Sequence, residues 1–429
     1  MQKQLLAGKG MKQGQMRPLA LLAAIAGNLM EWYDFGLYGV LAATLGKLFF
    51  PDGGGFIGLL SIYGVFAAGY VARIAGGTLF GHIGDRFGRR RALLLSALVM
   101  ALATFLVGCL PTYATFGVLA PVLFTIFRLL QGLSVGGEFT TSLSYMIEHA
   151  PEGRRAFQGS FASMSATSGI LLGSATGNLI FSLFTTEQIL EWAWRIPFLL
   201  SLPMGIVILI LRRVLPADMP NEEEHHTSSP FVRVVREHPA LIVRGILLGW
   251  GPTVTFYLMA VFLSSFLATG HYLNQKTALL AQTLAIAVII TFTPVSGFLA
   301  DFLGRKKSVL ISSLACLAFA YPLFIIIERG NLTLDFIAIG AFAILLAIGF
   351  SPYQVWLAEQ FPSSLRTSGL GISYNGAVGV FGGTTPLLAT ALVQISGNPI
   401  APAALIVLSS LATIGAALLM KETAREPLA

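Results

Sequence analysis

Long apolar stretches, each followed by a short polar one, run along almost the whole chain. A helix that crosses a lipid bilayer needs about 20 apolar residues, and on that scale the pattern predicts twelve spans. Most connections between them are a few residues long and rich in Gly, Pro or charge, as at 51–55. The predicted spans are 19–48, 56–80, 92–110, 117–146, 156–184, 196–215, 241–268, 277–300, 308–327, 335–358, 368–395 and 402–420.

One longer polar segment interrupts this pattern near the middle of the chain. Its run of Glu, His, Thr and Ser from Glu222 to Ser229 is typical of a solvated linker. The segment separates six predicted spans from six. We therefore expect an all-α integral membrane protein with twelve transmembrane helices in two six-helix bundles. The predicted divisions are a tail over 1–18, a bundle over 19–215, a linker over 216–240, a bundle over 241–420 and a tail over 421–429.

Two motifs recur in both halves of the chain. Gly, Asp, Gly and three basic residues occupy the same relative positions in 81–91, after the second span, and in 297–307, after the eighth. Glu, Pro and Arg recur with one internal spacing in 148–155, after the fourth span, and in 359–366, after the tenth. Two independent motifs repeating at nearly one offset predict pseudo-symmetric halves with a solute path between them.

The repeated motifs also supply side chains that we expect to close one end of this path. Asp85 and Asp301 are placed to bond a helix N-terminus or an arginine of the neighbouring hairpin. Such bonds would form when the gate closes and break when it opens. The alternative is that these charges only set the topology. The expected gating residues are Asp85, Arg86, Arg89, Glu138, Glu148, Arg155, Asp301, Arg305, Glu359 and Arg366.

Composition and charge agree with a membrane protein and predict its orientation. The 429 residues are 55% hydrophobic and 11% charged, whereas soluble domains carry about 25% charged residues. The net charge of +7 does not indicate a nucleic-acid partner, because most Lys and Arg fall on one side of the predicted spans. By the positive-inside rule both termini are cytoplasmic. The exceptions are Lys47, Arg195, Lys276 and Arg329 on the other side, and Arg73 and Arg128 within spans.

Ionisable side chains deep inside a span cost about 2.5–3.5 kcal/mol each on insertion scales and mark candidate functional sites. By these boundaries all five lie in the first half: Glu31, Asp34, Arg73, Arg128 and Glu138. Glu31 and Arg128 fall near the midplane at about 1.5 Å per residue, and Asp34 lies one turn from Glu31 on the same face. We therefore expect Glu31 or Asp34 to meet Arg128 across a cavity.

An acid beside an arginine in a low dielectric can titrate near neutral pH. We expect Glu31 first and Asp34 second to couple transport to protons, with a solute carboxylate competing for Arg128. The alternatives are acids that only hold helices together, a structural Arg128, and an Arg73 that extends to the cytoplasm instead of binding solute. The expected solute-binding residues are Arg128, Arg73, Asn28, Tyr33, Gln131, Tyr257, Gln354 and Asn375.

Several of these motifs resemble those of a known superfamily. Gly-x-x-x-Asp-Arg-x-Gly-Arg-Arg in 81–90 is similar to the signature of the major facilitator superfamily, and 128–132 resembles its second motif, Arg-x-x-Gln-Gly. The sequences at 31–35, 131–138 and 194–198 resemble the metabolite:proton symporter branch, which includes carriers of proline/betaine, 2-oxoglutarate, citrate and shikimate. The resemblance implies the major facilitator fold and import by proton symport.

The resemblance leaves the solute open between two classes. Buried arginines favour organic acids such as 2-oxoglutarate or citrate, whereas the first span and the segment 421–429 also resemble carriers of zwitterions such as proline and betaine. The chain departs from the branch at Arg73-Ile74, where Arg-Pro is usual. A proton-driven exporter or drug antiporter of the same fold is the main alternative, although Gly173-Ser174 stands where antiporters usually have Gly-Pro. A transporter-like sensor is a third hypothesis.

Nothing in the sequence indicates an enzyme. None of the six histidines is at mid-span, metal-ligand spacing is absent, and no P-loop is found, so we expect neither metal nor cofactor. Cys109 and Cys316 are expected to be small apolar fillers. The expected partners are a small organic solute, protons and the lipid bilayer. Without a cleavable signal, the chain is expected in a plasma membrane of the bacterial inner-membrane type, working as a monomer.

Overall fold

Helices account for every regular element in the part of the chain that the structure describes. The computed structural model describes the backbone over 18–51, 54–87, 89–213, 230–270 and 273–428. Side chains are described over the same ranges except at 18–26, 54–56, 78, 81–87, 89–93, 211–213 and 230. The all-α fold class is confirmed.

Twelve principal helices correspond one to one with the predicted spans. They are α1 Pro18–Phe49, α2 Gly54–Phe87, α3 Arg89–Cys109, α4 Leu119–Ser134 with Glu138–Glu148, α5 Arg155–Leu183, α6 Arg195–Leu199 with Ser201–Arg213, α7 Pro239–Thr269, α8 Gln275–Leu303, α9 Arg305–Glu328, α10 Leu332–Glu359, α11 Arg366–Ser396 and α12 Ala403–Leu419.

Most of these helices are suited to a bilayer by length and composition. Among the described residues nine are long and apolar enough to cross it, and two more apolar helices, Leu94–Cys109 and Ala403–Leu419, are shorter. The twelfth is α1, which carries Glu31 and Asp34. Below, α1–α6 are called the N-terminal half and α7–α12 the C-terminal half.

Glycines allow the helices around the centre to approach one another backbone to backbone. A Cβ on Gly173 of α5 would collide with the Tyr33 carbonyl of α1. In the same way, a Cβ on Gly132 of α4 would collide with the Gly69 carbonyl of α2, and one on Gly136 would collide with Gly77. These contacts hold α1, α2, α4 and α5 close together, so side chains from them converge on one region.

Helix irregularities surround this region. The two segments of α4 are separated at 135–137, and π-helical turns interrupt α7 at Leu258–Phe262 and α11 at Ala377–Gly382. Pro252 lies inside α7 and Pro352 inside α10. Such irregularities free backbone groups and are frequent at functional sites.

The two ends of the molecule differ. One end carries the connections after α2, α4, α8 and α10 that contain the repeated motifs, and we call it the motif end. We call the opposite end of the molecule the far end. At the motif end the segment 421–426 lies across both halves. The Glu422 carboxylate accepts the backbone N–H groups of Arg305 and Lys306 at 3.0 Å. Arg155 of α5 donates to the Glu426 carbonyl at 2.6 Å.

Candidate functional site

A central cavity lies between the halves and is lined by helices from both. Its empty space amounts to about 310 Å³, counting the part that is open to solvent. Seven of its thirteen lining residues are aromatic, and none of the described side chains on its wall is charged. The lining residues are Trp32, Phe139, Ser163, Ala166, Thr167, Thr253, Phe256, Tyr257, Phe350, Tyr353, Gln354, Tyr374 and Val378.

The polar groups of the cavity wall are bonded to one another. Ser163 of α5 donates a short hydrogen bond to Gln354 of α10. The Tyr257 and Tyr70 hydroxyls are 2.5 Å apart, and those of Thr253 and Tyr353 are 3.4 Å apart. The aromatic faces are therefore the main surface that the wall offers to a ligand.

The pair Glu31–Arg73 stands behind this wall. The Arg73 Nη2 of α2 is 3.4 Å from the Glu31 Oε1 of α1, and both side chains are buried. The Arg73 guanidinium carbon also lies 5.5 Å from the Trp32 ring and 5.8 Å from the Tyr374 ring. Because both rings line the central cavity, this ion pair is in contact with the cavity wall.

Arg73 also joins the two halves. Its Nε donates to the Asn375 Oδ1 of α11 at 2.8 Å, and the Asn375 Nδ2 donates to the Gly136 carbonyl at the break in α4 at 2.7 Å. Arg73 Nη1 and Trp32 Nε1 are buried donors with no hydrogen-bond partner among the described residues. A buried donor left without a partner costs about 1–3 kcal/mol, so the two groups together favour a ligand that accepts hydrogen bonds.

The pair Asp34–Arg128 is held within the N-terminal half. Arg128 of α4 donates a short hydrogen bond to Asp34. Gln131 donates to Asp34 at 3.0 Å and to Thr104 of α3 at 2.8 Å, and it accepts from Arg128 at 2.7 Å. The Arg128 guanidinium carbon lies 3.9 Å from the centre of the Tyr38 ring. Three helices and a ring thus surround this pair.

A layer of aromatic rings separates Arg128 from the central cavity. Phe35 and Phe66 lie within 6 Å of the Arg128 guanidinium carbon. Both rings contact Tyr70, at 4.7 and 4.8 Å between centres, and Tyr70 contacts Tyr257 of the cavity wall at 5.4 Å. Arg73 therefore contacts the residues of the cavity wall, whereas these rings separate Arg128 from them.

These contacts change several expectations from the sequence. Arg128 meets Asp34 and not Glu31, because Glu31 faces α2, where Arg73 lies. Arg73 does not extend to solvent, since only 1% of its surface is exposed. Tyr33 is directed away from the cavity, because its hydroxyl donates to the Pro197 carbonyl of α6 at 3.0 Å. Tyr33 is not among the residues that line the central cavity, and its contact with solute stays a prediction.

The other predicted solute-binding residues fall into two groups. Tyr257 and Gln354 line the cavity, and Asn375 bonds Arg73. Gln131 belongs to the Asp34 cluster. Asn28 bonds the Ser165 hydroxyl of α5 at 3.3 Å and is fully buried, which makes it a contact between helices.

Sequence reasoning missed most of the aromatic wall. Trp32, Phe139 and Phe350 were not singled out, because aromatic residues in an apolar span do not stand out from those that face lipid. One signal was available: Trp32 and Phe139 immediately follow Glu31 and Glu138, two of the five ionisable residues expected inside spans. The second half also buries an acid, Asp335 of α10, which lies at the edge of the predicted span and was not included in that set.

At the motif end the repeated motifs pair reciprocally. Glu148 after α4 pairs with Arg366 of α11 at 2.5 Å, and Arg155 of α5 pairs with Glu359 of α10 at 3.3 Å. Each half thus gives the acid of its motif to the arginine of the other half. The expected contact of Asp301 is confirmed, because it accepts the N–H groups of Ala156 and Phe157 at the start of α5.

Arg305 completes this cluster. It pairs with Asp301 at 2.8 Å and with Glu359 at 3.1 Å, and is fully buried. Glu138 lies elsewhere, beside a second cavity within the N-terminal half. The side chains of Asp85, Arg86 and Arg89 lie outside the described residues.

The central cavity is closed at the far end as well. Tyr63 of α2 bonds Ser265 of α7 at 2.7 Å, and Asn178 of α5 donates to Thr283 of α8 at 2.6 Å. Each of these bonds joins one half to the other. Among the described residues no group of three or more His, Cys, Asp or Glu side chains is placed to hold a metal ion.

Comparison with known proteins agrees with this arrangement. The model of the family "Sugar (and other) transporter" matches 19–218, and that of the Major Facilitator Superfamily matches 253–429. The proline/betaine transporter of Salmonella typhimurium is 33% identical over 430 residues, covering 97% of this chain and 85% of that protein. The chain belongs to the metabolite:proton symporter branch of the major facilitator superfamily.

Other relatives of the transporter have different solutes in their names. The shikimate transporter of Escherichia coli is 32% identical, with 95% of each chain covered. The alpha-ketoglutarate permease of the same organism is 33% identical, covering 88% of this chain and 87% of the relative. A D-xylose-proton symporter structure shares the fold, with a TM-score of 0.75 at 20% identity over 92% of this chain and 96% of that one. The chain is thus a transporter of small solutes and not an enzyme.

Proposed function

We propose that the transporter imports a small carboxylate-bearing organic solute together with protons, by alternating access. The observation that carries this proposal is the Glu31–Arg73 pair at the cavity wall. The buried Arg73 Nη1 and Trp32 Nε1 donors offer a solute carboxylate two hydrogen bonds that no described residue makes. The protein would lie as a monomer in a plasma membrane of the bacterial inner-membrane type. The motif end and both termini would face the cytoplasm.

Competition for Arg73 links the solute to the proton. A carboxylate bound to Arg73 displaces the Glu31 carboxylate, and an acid that loses its cation in a low dielectric favours its neutral form. Proton binding to Glu31 and solute binding to Arg73 therefore assist each other, and this coupling is reciprocal. When the solute leaves, Arg73 returns to Glu31 and the proton is released. Glu31 is thus the first candidate for the coupling acid, and Asp34 the second.

Movement of the halves would follow from contacts that only one state can make. The reciprocal pairs Glu148–Arg366 and Arg155–Glu359 hold the motif end closed. The Tyr63–Ser265 and Asn178–Thr283 bonds hold the far end closed. Breaking one set while keeping the other opens the central cavity to one side at a time.

The cavity favours a zwitterion over a solute with several carboxylates. Among the described residues, Arg73 is the cation in contact with its wall, so a second carboxylate would enter an aromatic site without a cation, where burying a charge is costly. An alkylated ammonium group, by contrast, is attracted to aromatic faces. Proline and glycine betaine, named for several relatives, have this combination, whereas 2-oxoglutarate and citrate do not.

Uptake of radiolabelled proline, glycine betaine, 2-oxoglutarate and citrate by cells expressing the transporter tests the proposal. We expect accumulation of a zwitterion, abolished by a protonophore. Accumulation of 2-oxoglutarate or citrate instead would agree with proton symport but would reject a zwitterion as the solute. Accumulation that a protonophore does not change would reject proton coupling. Outflow of the solute that is driven by the entry of protons would favour the exporter or drug antiporter.

A further inference from the structure

A second cavity lies entirely within the N-terminal half, between α1, α3, α4 and α6. Its empty space amounts to about 270 Å³, counting the part that is open to solvent, and it shares no lining residue with the central cavity. Unlike the central cavity, it has two carboxyl groups on its wall, together with two hydroxyl groups. We call it the side chamber. Its lining residues are Gly27, Met30, Glu31, Ser96, Ala97, Met100, Ser134, Val135, Glu138 and Ile208.

Consecutive residues of α1 and α4 line the two cavities. Trp32 and Phe139 line the central cavity, whereas Glu31 and Glu138, one position earlier, line the side chamber. Consecutive helix residues point about 100° apart, so each helix forms part of both walls. Glu31 also lies 3.4 Å from Arg73, which contacts the central wall. Among the described residues, Glu31 is therefore the acid placed between solute site and chamber.

The side chamber extends from Glu31 toward the motif end. Gly27 lies one turn closer to that end of α1, and Ser96 lies in the third turn of α3, which begins there. Glu138 starts the second segment of α4 and is partly exposed, next to the exposed Gly137. The break in α4 therefore forms the mouth of the chamber.

We propose that the side chamber is the route by which the proton leaves Glu31 for the cytoplasm, with Glu138 as the relay at its mouth. The proposal rests on the proposed function, in which Glu31 carries the proton. The Glu31 carboxylic acid gives its proton to water held by the Ser96 and Ser134 hydroxyls, since a polar cavity of this kind is suited to ordered water. The Glu138 carboxylate accepts a proton from that water and passes it to bulk water.

The groups around Glu31 support release in this direction. Arg73 of α2 stabilises the Glu31 carboxylate once the solute has left, and Glu138 of α4 shares the chamber as a second acid. These are the charged side chains that the described residues place around Glu31 and the chamber, because α3 and α6 add only hydroxyl and apolar groups. The basic residues 89–91 at the start of α3 lie outside the described side chains. Solute and proton would thus leave by separate paths.

Filling the chamber without changing Glu31 tests the proposal. Ala97→Leu adds bulk to the α3 wall, and Glu138→Gln removes the relay while keeping its shape. The matched controls are Ala318→Leu, at an exposed position of α9, and Glu152→Gln, in an exposed connection. Purified protein in liposomes containing a pH-sensitive dye gives net solute uptake and internal acidification. The probe is whichever of proline, glycine betaine, 2-oxoglutarate and citrate the wild-type protein accumulates.

We expect Ala97→Leu and Glu138→Gln to slow net uptake and acidification by about tenfold or more, since a positioned proton carrier typically contributes at least that much. Exchange of labelled for unlabelled solute at equal pH should stay close to wild type, because exchange needs no proton release. Glu138→Asp keeps the carboxyl group and should restore most of the net uptake. The two control variants should match the wild type in both assays.

Three results would overturn the route. Net uptake that is unchanged in both chamber variants would show that the proton leaves elsewhere. Net uptake and exchange that fall by the same factor, without rescue by Glu138→Asp, would show a purely structural role. Wild-type uptake without any acidification would refute proton coupling itself, and so the proposed function as well, which separates that failure from a failure of the chamber alone.

Discussion

Two acid–arginine pairs begin on the same face of α1, one helical turn apart, yet they are held very differently. Asp34 and Arg128 belong to one half, and Gln131 bonds both of them. Glu31 and Arg73 are 3.4 Å apart, and the arginine also bonds Asn375 of the other half. The first pair keeps its partners when the halves move, whereas the second must exchange some of them.

This difference indicates that the first pair has a structural role and the second a role in transport. A buried ion pair is costly to break because the remaining charge is left uncompensated, and the network around Asp34 leaves little room for exchange of partners. At Glu31 the cation is shared among an acid, an amide of the other half and two rings. Such a site can exchange one acceptor for another at low cost. We therefore expect substitutions at the first pair to affect folding and those at the second to affect transport.

The largest effect is expected for Arg128→Ala. The change leaves the Asp34 carboxylate buried without its cation and should destabilise the protein by about 3–5 kcal/mol. Thermal unfolding of the detergent-purified protein, followed by size-exclusion chromatography, should show a much lower midpoint or loss of the monodisperse peak. The double variant Asp34→Asn with Arg128→Gln should recover part of this loss. A single variant as stable as the wild type would contradict the structural role of this pair.

Arg73→Lys is expected to give the next largest effect, on binding instead of folding. An ammonium group cannot reproduce the planar fork that reaches Glu31, Asn375 and a solute carboxylate together. Losing one charge-assisted hydrogen bond of about 1.5–3 kcal/mol should weaken solute binding by about 10–100-fold. Binding is measured by tryptophan fluorescence or by scintillation proximity with labelled solute. The midpoint of thermal unfolding should remain near that of the wild type. A large fall would show that Arg73, like Arg128, has a structural role.

Much of the fold and part of the site could be predicted from the sequence. Span lengths follow from bilayer thickness, and the repeated motifs predicted both the two halves and residues that do meet at the motif end. Asp301 was predicted to bond either a helix N-terminus or an arginine of the neighbouring hairpin, because both attract a carboxylate, and the structure shows the helix N-terminus. These inferences rest on composition and repetition along the chain, which need no knowledge of helix rotation.

The pairing of the buried charges could not be predicted in the same way. Depth along a helix follows from residue number, but the direction of a side chain depends on how each helix is rotated and tilted in the bundle. Arg73 and Arg128 were both possible partners for α1 by depth. Contacts between α2 and α4 at Gly76, Gly132 and Gly136 set the rotation that turns Arg73 toward Glu31. The aromatic wall was missed for the same reason, since apolar faces toward lipid and toward the cavity look alike in sequence.

Neutralising Glu31 and Asp34 one at a time tests the difference between the two pairs, with a smaller expected effect than the arginine substitutions. Glu31→Gln should reduce accumulation driven by a pH gradient by about tenfold, because a neutral amide cannot carry the proton. Solute exchange should persist, since Arg73 is then free for the solute carboxylate. Asp34→Asn should lower the amount of folded protein, while the molecules that do fold remain coupled to protons. The reverse pattern, with coupling lost only in Asp34→Asn, would exchange the roles of the two acids.

The smallest effect is expected for the Glu148–Arg366 pair of the motif end, because the Glu148 side chain is 38% exposed. Glu148→Arg should favour opening of that end, because it places like charges opposite Arg366, whereas the double variant Glu148→Arg with Arg366→Glu restores an ion pair in reverse. A pair with one exposed partner contributes about 1 kcal/mol or less, so we expect uptake to change by about two- to fivefold.

The measurement is alkylation of a cysteine introduced into the central cavity, which gives the fraction of molecules that are open to each side of the membrane. Arg155–Glu359 is the same contact with the halves exchanged, but it is buried, so Arg155→Glu should shift the open fraction in the same direction and by a larger factor. A response at only one of the two pairs would mean that the repeat determines where these charges lie, but not how much each contributes to the gate.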